Sequence, residues 1–268
     1  MLNIERRVFF MSINFHDANN KYTYAQRNAH ISWREMIKSI TSIQNKRIVD
    51  IGCGGGIYTK ELALMGAKSV VGLDFSKEIL QAAKENCSGF SNISFIHGDA
   101  HSTPYPNDTF DIVISRAVIH HLQDIPTFLR EASRILKKNG VLIVQDRTIE
   151  DCTIPGSPEH IRGYFFSTFP KLIETESKRR PKTTTIQQEL QKYFLHVFPT
   201  QTQWEVRKIH DSVEALLQDL SPRTGRSILY ELTDYELSQL LQQVQTALQN
   251  VSPIIERDRW TIWSAMKL

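Results

Sequence analysis

Seven consecutive residues, Asp50-Ile51-Gly52-Cys53-Gly54-Gly55-Gly56, restrict the fold of this chain more than any other stretch. They close a short run rich in β-branched residues, Lys46-Arg47-Ile48-Val49-Asp50-Ile51, which reads as a buried parallel strand. They open onto Tyr58 to Met65, where Tyr58, Leu62 and Met65 share a helical face and Gly66 stops the helix. A strand that turns directly into a helix needs residues that accept positive φ and let a ligand approach the main chain, and glycine does both.

The same alternation continues downstream. Strands are expected at Ser69–Asp74, Ile93–Asp99, Phe110–Ser115 and Val141–Gln145. Ser76 is the expected N-cap of a helix carrying Ile79, Leu80 and Ala83, and Pro126 to Leu136 is a helix stopped by Asn139-Gly140. Strands and helices in this order make crossover units, hence a parallel sheet of α/β class. Two later segments, Glu205–Ile209 and Arg259–Ala265, alternate with period two and complete seven strands. Residues 1–45, 149–183 and 212–250 fall outside the alternation and are expected as helical additions over the carboxyl edge of the sheet, where open α/β sheets bind ligands. The expectation is one domain over residues 1–268, with residues 46–147 as its core.

Composition narrows the class. The chain has 268 residues, 41% of them hydrophobic, and a formal charge of +3. It lacks an apolar run of the roughly 18 residues a spanning helix needs, and the Met1–Met11 stretch is too short in apolar residues for a secretory signal, so a cytoplasmic protein without membrane contact is expected. Cys53, Cys87 and Cys152 are odd in number and lack a CxxC spacing, and none of the nine histidines falls in an HExxH pattern. No metal is expected. The dense basic run Lys178-Arg179-Arg180, with Lys182, is expected as a solvated helix end or loop rather than a nucleic-acid surface.

The glycine loop by itself suits a nicotinamide dinucleotide as well as other nucleotides. Asp50, one step before the loop, would repel a pyrophosphate but suits a cofactor with a cationic amine and a sulfonium. Asp74, 18 residues after Gly56, stands where a carboxylate can accept both ribose hydroxyls. Asp99, in Gly98-Asp99-Ala100, is placed to accept from an adenine amino group.

With these residues in view, Val49 to Asp146 resembles the core of the class I S-adenosylmethionine-dependent methyltransferases, in their small-molecule branch. The motifs that carry the resemblance are Val49 to Gly56, Gly72-Leu73-Asp74-Phe75-Ser76, Gly98-Asp99-Ala100, Phe110-Asp111-Ile112-Val113, Ile119-His120-His121-Leu122 and Leu136 to Leu142. The resemblance implies a seven-stranded Rossmann-like sheet, mostly parallel with an antiparallel last strand, and helices on both faces. It implies that Asp50, Gly52, Cys53 and Gly54 hold the methionine part of S-adenosyl-L-methionine, that Asp74 binds the ribose, that Phe75 packs on the adenine, and that Asp99 and Ala100 face its edge. Arg116 and Ala117 would line the methionine end, and His120 would face the acceptor.

Methyl transfer from a sulfonium is an in-line displacement, so the protein mainly aligns the reactants, and a base is needed only if the acceptor loses a proton. His120 is the candidate catalytic base; His121, Cys53, Cys87 and Cys152 are read as structural. Tyr24 and Arg27 are candidates to close over the cofactor or to bind an anionic acceptor, and Phe165, Phe166 and Phe169 are read as core before pocket wall. Arg223, Arg226 and Tyr230 are candidates to recognise a carboxylate. Asp146-Arg147 is expected at the ligand edge, pairing internally. Ser115-Arg116-Ala117-Val118 departs from the motifs of DNA amino-methylating, cytosine-methylating and metal-dependent catechol-type enzymes. A small-molecule acceptor is expected, on a monomer or homodimer. A silent S-adenosylmethionine-binding protein, an RNA methyltransferase and a nicotinamide oxidoreductase are the rival readings.

Overall fold

The computed structural model describes residues 28–267. Tyr24 and Arg27 therefore lie outside the described residues. In chain order the elements are α1 (Ile31–Ile40), β1 (Arg47–Ile51), α2 (Ile57–Leu64), β2 (Ser69–Asp74), α3 (Lys77–Asn86), β3 (Ile93–His97), β4 (Phe110–Arg116), α4 (Ile125–Ile135) and β5 (Leu136–Asp146). They continue as α5 (Ile149–Cys152), α6 (Arg162–Thr168), α7 (Lys171–Arg179), α8 (Thr183–Tyr193), β6 (His196–Val197), β7 (Gln201–His210), α9 (Val213–Leu220), α10 (Asp234–Leu248) and β8 (Ile254–Met266).

One sheet runs β3-β2-β1-β4-β5-β8, and β6 and β7 both pair with β8. The five strands from β3 to β5 are parallel, whereas β8 is antiparallel to β5, with Asp146 opposite Thr261. The strand order reverses between β1 and β4, which is the switch point where the carboxyl edge opens a crevice. All seven expected strands are present. The eighth, β6, is a two-residue piece on the same side of β8 as β7, paired His196 to Met266. Phe198 still donates to Ser264, and the pairing lapses at Pro199, which has no amide proton to give.

Alternate residues of the central strands feed two cores. Val49, Ile51, Val113, Leu142 and Val144 pack with Phe128 and Ile135 of α4 and Leu190 of α8. Ile48, Ile112, Ile114 and Ile143 pack on the other face with Leu62 of α2 and Trp33 and Ile37 of α1. Ser76 caps α3 by accepting from the Ile79 amide at 3.2 Å. A third cluster joins residues from two of the additions: Phe165, Phe166 and Leu172 meet Leu216, Leu220, Leu240 and Val244. These aromatics are buried core, because two short amphipathic additions can each hide an apolar face only against the other. Among the described residues, no helix is long and apolar enough to cross a membrane.

The basic run at 178–182 departs from expectation. Arg180 is buried and Arg179 is largely covered, while Lys178 stays in solvent against Glu174. Charge density alone could not reveal that Glu176, Asp146 and the carbonyl of Arg147 form a socket for the Arg180 guanidinium.

Candidate active site at the carboxyl edge

The glycine loop takes the conformation its composition requires. Gly52, Gly54 and Gly56 have φ of 73°, 52° and 77°. A Cβ on Gly52 would also collide with the Val118 side chain, so no other residue fits there without movement. The loop is tied to β2, because the amides of Gly52 and Cys53 donate to the Leu73 carbonyl at 2.7 and 3.1 Å. Cys53 is buried and its thiol is pushed well up by burial and by Asp50 and Asp74, so it is not a thiolate nucleophile.

Two carboxylates flank this loop. Asp50 is buried and accepts from the Thr59 hydroxyl at 2.7 Å. Its carboxyl is pushed up to about 6, chiefly by burial, with the nearby Asp74 adding to the rise. Asp74 accepts from the amides of Gly54 (2.9 Å) and Ser76 (3.0 Å), yet burial still raises it. Neither carboxylate has an ion-pair partner among the described residues. Such a pair suits a ligand that brings a cation and hydroxyl donors, which is the chemistry of an amino-acid ammonium and a ribose; the residues present fit S-adenosylmethionine.

Phe75 follows Asp74 and is 42% exposed, so it is not core. Asp99 lies on the surface with its carboxylate accepting from the His101 amide at 2.8 Å, and Ala100 packs against the α4 core. Arg116 ends β4, but its guanidinium is engaged by protein groups. It donates to Gln145 (3.1 Å) and Glu205 (2.9 Å) and lies over the rings of Tyr58 and Trp260 at 4.1 and 3.9 Å. Gln145 in turn accepts from the Trp33 indole, which anchors α1 beneath the site.

After β4 the chain reverses at Ala117, whose φ is 59° and whose amide donates to Gln145. The single helical turn Ile119–His121 then brings His120 against the end of the neighbouring strand, β5. His120 Nδ1 lies 2.8 Å from Asp146 Oδ2 and 2.9 Å from Oδ1. A carboxylate only accepts, so Nδ1 carries the proton and Nε2 keeps its lone pair. Burial lowers the imidazole to about 4 despite Asp146, with Arg180 contributing, so the ring is a neutral base at ordinary pH. His121 stacks on His120 with ring centroids 4.0 Å apart and is held well below its usual range by burial and by that neighbour.

Asp146, which the sequence places at the ligand edge without a role, is the residue that meets His120. Its partners are His120 and Arg180, and it is held well below the usual carboxylate range by them against the cost of burial. The signal was its position at the end of β5, one strand from β4; the partner came from the parallel register that sets Arg116 opposite Gln145. Arg223 and Arg226 do not gather here. Arg223 binds Asp234 and the carbonyls of Leu229 and Leu232. Arg226 binds Glu256 and Asp219, and His210 also meets Glu256.

The Methyltransferase domain family matches residues 49–144, from within β1, ahead of the glycine loop, to within β5. The chain is 30% identical over 133 residues to a demethylmenaquinone methyltransferase of Bacillus licheniformis, covering 48% of this chain and 56% of that one. It is 31% identical over 144 residues to a second, from Lysinibacillus sphaericus, covering 53% and 61%. The chain thus spans little more than half the length of these curated relatives. A crystal structure of BH2331 from Bacillus halodurans C-125 superposes with a TM-score of 0.61 at 20% identity, over 89% of this chain and 99% of that one. That likeness speaks to the fold.

Proposed function

We propose that the chain transfers the methyl group of S-adenosylmethionine to a small-molecule acceptor that loses a proton in the reaction. The observation that carries the base in this reading is the His120–Asp146 pair, a neutral imidazole oriented by a buried carboxylate at the acceptor end of the crevice. Asp50 would hold the cofactor's ammonium, Asp74 its ribose hydroxyls, Phe75 one face of its adenine, and Asp99 with Ala100 the adenine edge. Gly52, Cys53 and Gly54 would contribute main-chain groups, and so would Arg116, given how its side chain is held. Tyr24 and Arg27 remain assigned to closure over the site.

Bound S-adenosylmethionine supplies a methyl carbon already activated on a sulfonium. The protein's share is alignment and the handling of one proton. His120 Nε2 would accept the proton of the acceptor's O–H, N–H or acidic C–H as the acceptor takes up the methyl group that the bound cofactor would supply. Asp146 stabilises the resulting imidazolium and keeps the ring from turning over. The names of the two relatives are consistent with a small aromatic or quinone-like acceptor, which belongs to the proposal alone.

The test is methylation of an acceptor panel by purified protein with labelled S-adenosylmethionine. His120→Ala is expected to lower kcat by about 10²–10⁴ on an accepted substrate, the range of a general base. With cofactor saturating, kcat of the native chain should hold down to about pH 4, following the lowered imidazole. Turnover within a few-fold of wild type in His120→Ala would remove the base from the mechanism. Binding of NADH in preference to S-adenosylhomocysteine would remove the cofactor assignment itself.

A further inference from the structure

One residue beyond Asp146, the charges no longer balance. Arg147 Nη1 donates to Asp258 Oδ2 at 2.9 Å, and Arg162 Nε donates to Asp258 Oδ1 at 3.0 Å. Two guanidiniums therefore share one carboxylate, and the three side chains are only 11%, 6% and 6% exposed. The surrounding ions are already matched. Arg179 and Arg180 face Glu176 and Asp146, Arg116 faces Glu205, and Arg259 faces Asp151. Arg207, whose charge also reaches Asp258, is paired with Asp219 and Glu256. His160, the next polar group toward Asp258, is pushed toward its neutral form by burial and carries no negative charge.

Among the described residues this leaves one buried guanidinium in surplus beside Asp258. A buried charge without a counter-charge is costly by several kcal/mol, so a site that keeps one is built for an anion. The hydrogen bonding agrees. Arg147 Nε is buried without a partner. Such an N–H donor calls for an oxygen ligand.

Arg147 is also held in place. Its amide donates to Asp146 at 2.7 Å, its carbonyl accepts from Arg180 at 2.9 Å, and its guanidinium lies 4.1 Å over the Trp260 ring. The residues that orient His120 thus fix Arg147 as well. A flat, pinned guanidinium fork matches the two oxygens of a carboxylate better than a point charge does.

We propose that Arg147 receives a carboxylate of the methyl acceptor, so that the substrate class is a small carboxylate-bearing molecule; this rests on the reading of the His120 end as the acceptor site. The test is calorimetry on the full chain saturated with S-adenosylhomocysteine. Benzoate, salicylate, 4-hydroxybenzoate, hexanoate and decanoate are titrated, each against its methyl ester, with inorganic phosphate alongside. At least one acid is expected to bind about tenfold or more tighter than its ester and than phosphate, the value of a charge-assisted fork. Arg147→Gln should abolish that preference while S-adenosylhomocysteine affinity stays within about twofold, since Arg147 contacts Asp146, Asp258, Arg180 and Trp260 rather than the glycine loop. Should that variant lower the thermal midpoint, Arg147→Lys, which keeps the charge and loses the fork, is read in the same way. Equal binding of acids and esters, no binding of any acid, binding of phosphate as tightly as the best acid, or a preference that survives the Arg147 variants would overturn the proposal. Failure to bind S-adenosylhomocysteine at all would instead overturn the cofactor reading.

Discussion

The two ends of the crevice carry opposite electrostatics. At the glycine loop, Asp50 and Asp74 are buried acids without an ion-pair partner among the described residues, and burial raises both. Past β5, Asp146, Glu176 and Asp258 are equally buried acids; His120 and Arg180 hold Asp146 low, and arginines hold Glu176 and Asp258 low. Burial is the same in both regions, so the difference is the company each carboxylate keeps. An acid left without a cation awaits one from a ligand, whereas an end with a cation in surplus awaits an anion. On our proposal the first region takes a sulfonium amino acid and the second its acceptor.

The comparison breaks most visibly at Arg180. Arg180→Leu strips a shared cation from Asp146 and Glu176, and is expected to cost about 3–5 kcal/mol of stability, the penalty for orphaning buried charge. Denaturant unfolding reads this directly; a loss under about 1 kcal/mol would mean that the socket is solvated and the contrast between the ends is false. At the other end no ion pair is available to break among the described residues, and the sensitive atom is a hydrogen. Gly52→Ala places a methyl group against Val118 at a φ of 73°. About 1–3 kcal/mol of stability should be lost, with S-adenosylhomocysteine affinity falling further than the melting curve alone explains.

The smallest effect is the most diagnostic, because the two ends should respond to pH with opposite sign. Asp50 has a raised carboxyl, so the folded chain without ligand binds this proton more tightly than the unfolded chain does. Its contribution to stability therefore declines as pH rises from about 4 to about 6. A bound ammonium favours the ionised acid, so S-adenosylhomocysteine affinity should rise through the same window, by up to about tenfold per pH unit, and then level off. Asp50→Asn should flatten that rise. Asp146, Glu176 and Asp258 behave in reverse: their stabilisation is complete above the ordinary carboxylate range and is lost as pH falls through and below it. Affinity that falls as pH rises from 5 to 7 would contradict the assignment of Asp50 to a cation.

Legibility from the sequence followed the range of the interactions. The strand–loop–helix turn, the N-cap at Ser76 and the five parallel strands rest on residues within a few positions of one another, where period and glycine content carry the information. Asp50, Asp74 and the loop glycines could be named for the same reason, since each lies at the end of a locally recognisable strand. The brief lapse at Pro199 was also visible in principle, although a two-residue strand is below the resolution of any periodicity.

The acceptor end had no such local signature. His120 meets Asp146 across 26 residues, Arg180 reaches Asp146 across 34, and Arg147 and Arg162 reach Asp258 across 111 and 96. Whether a basic run such as Lys178 to Lys182 is solvated or socketed depends on which carboxylates the fold delivers to it. Charge composition cannot express that. The order of residues thus determined the sheet, the loop and the cofactor chemistry they suit. Only the tertiary structure decided the partners of His120, the burial of Arg180 and the surplus charge at Arg147, because those depend on strand register and on how two helical additions share one apolar face.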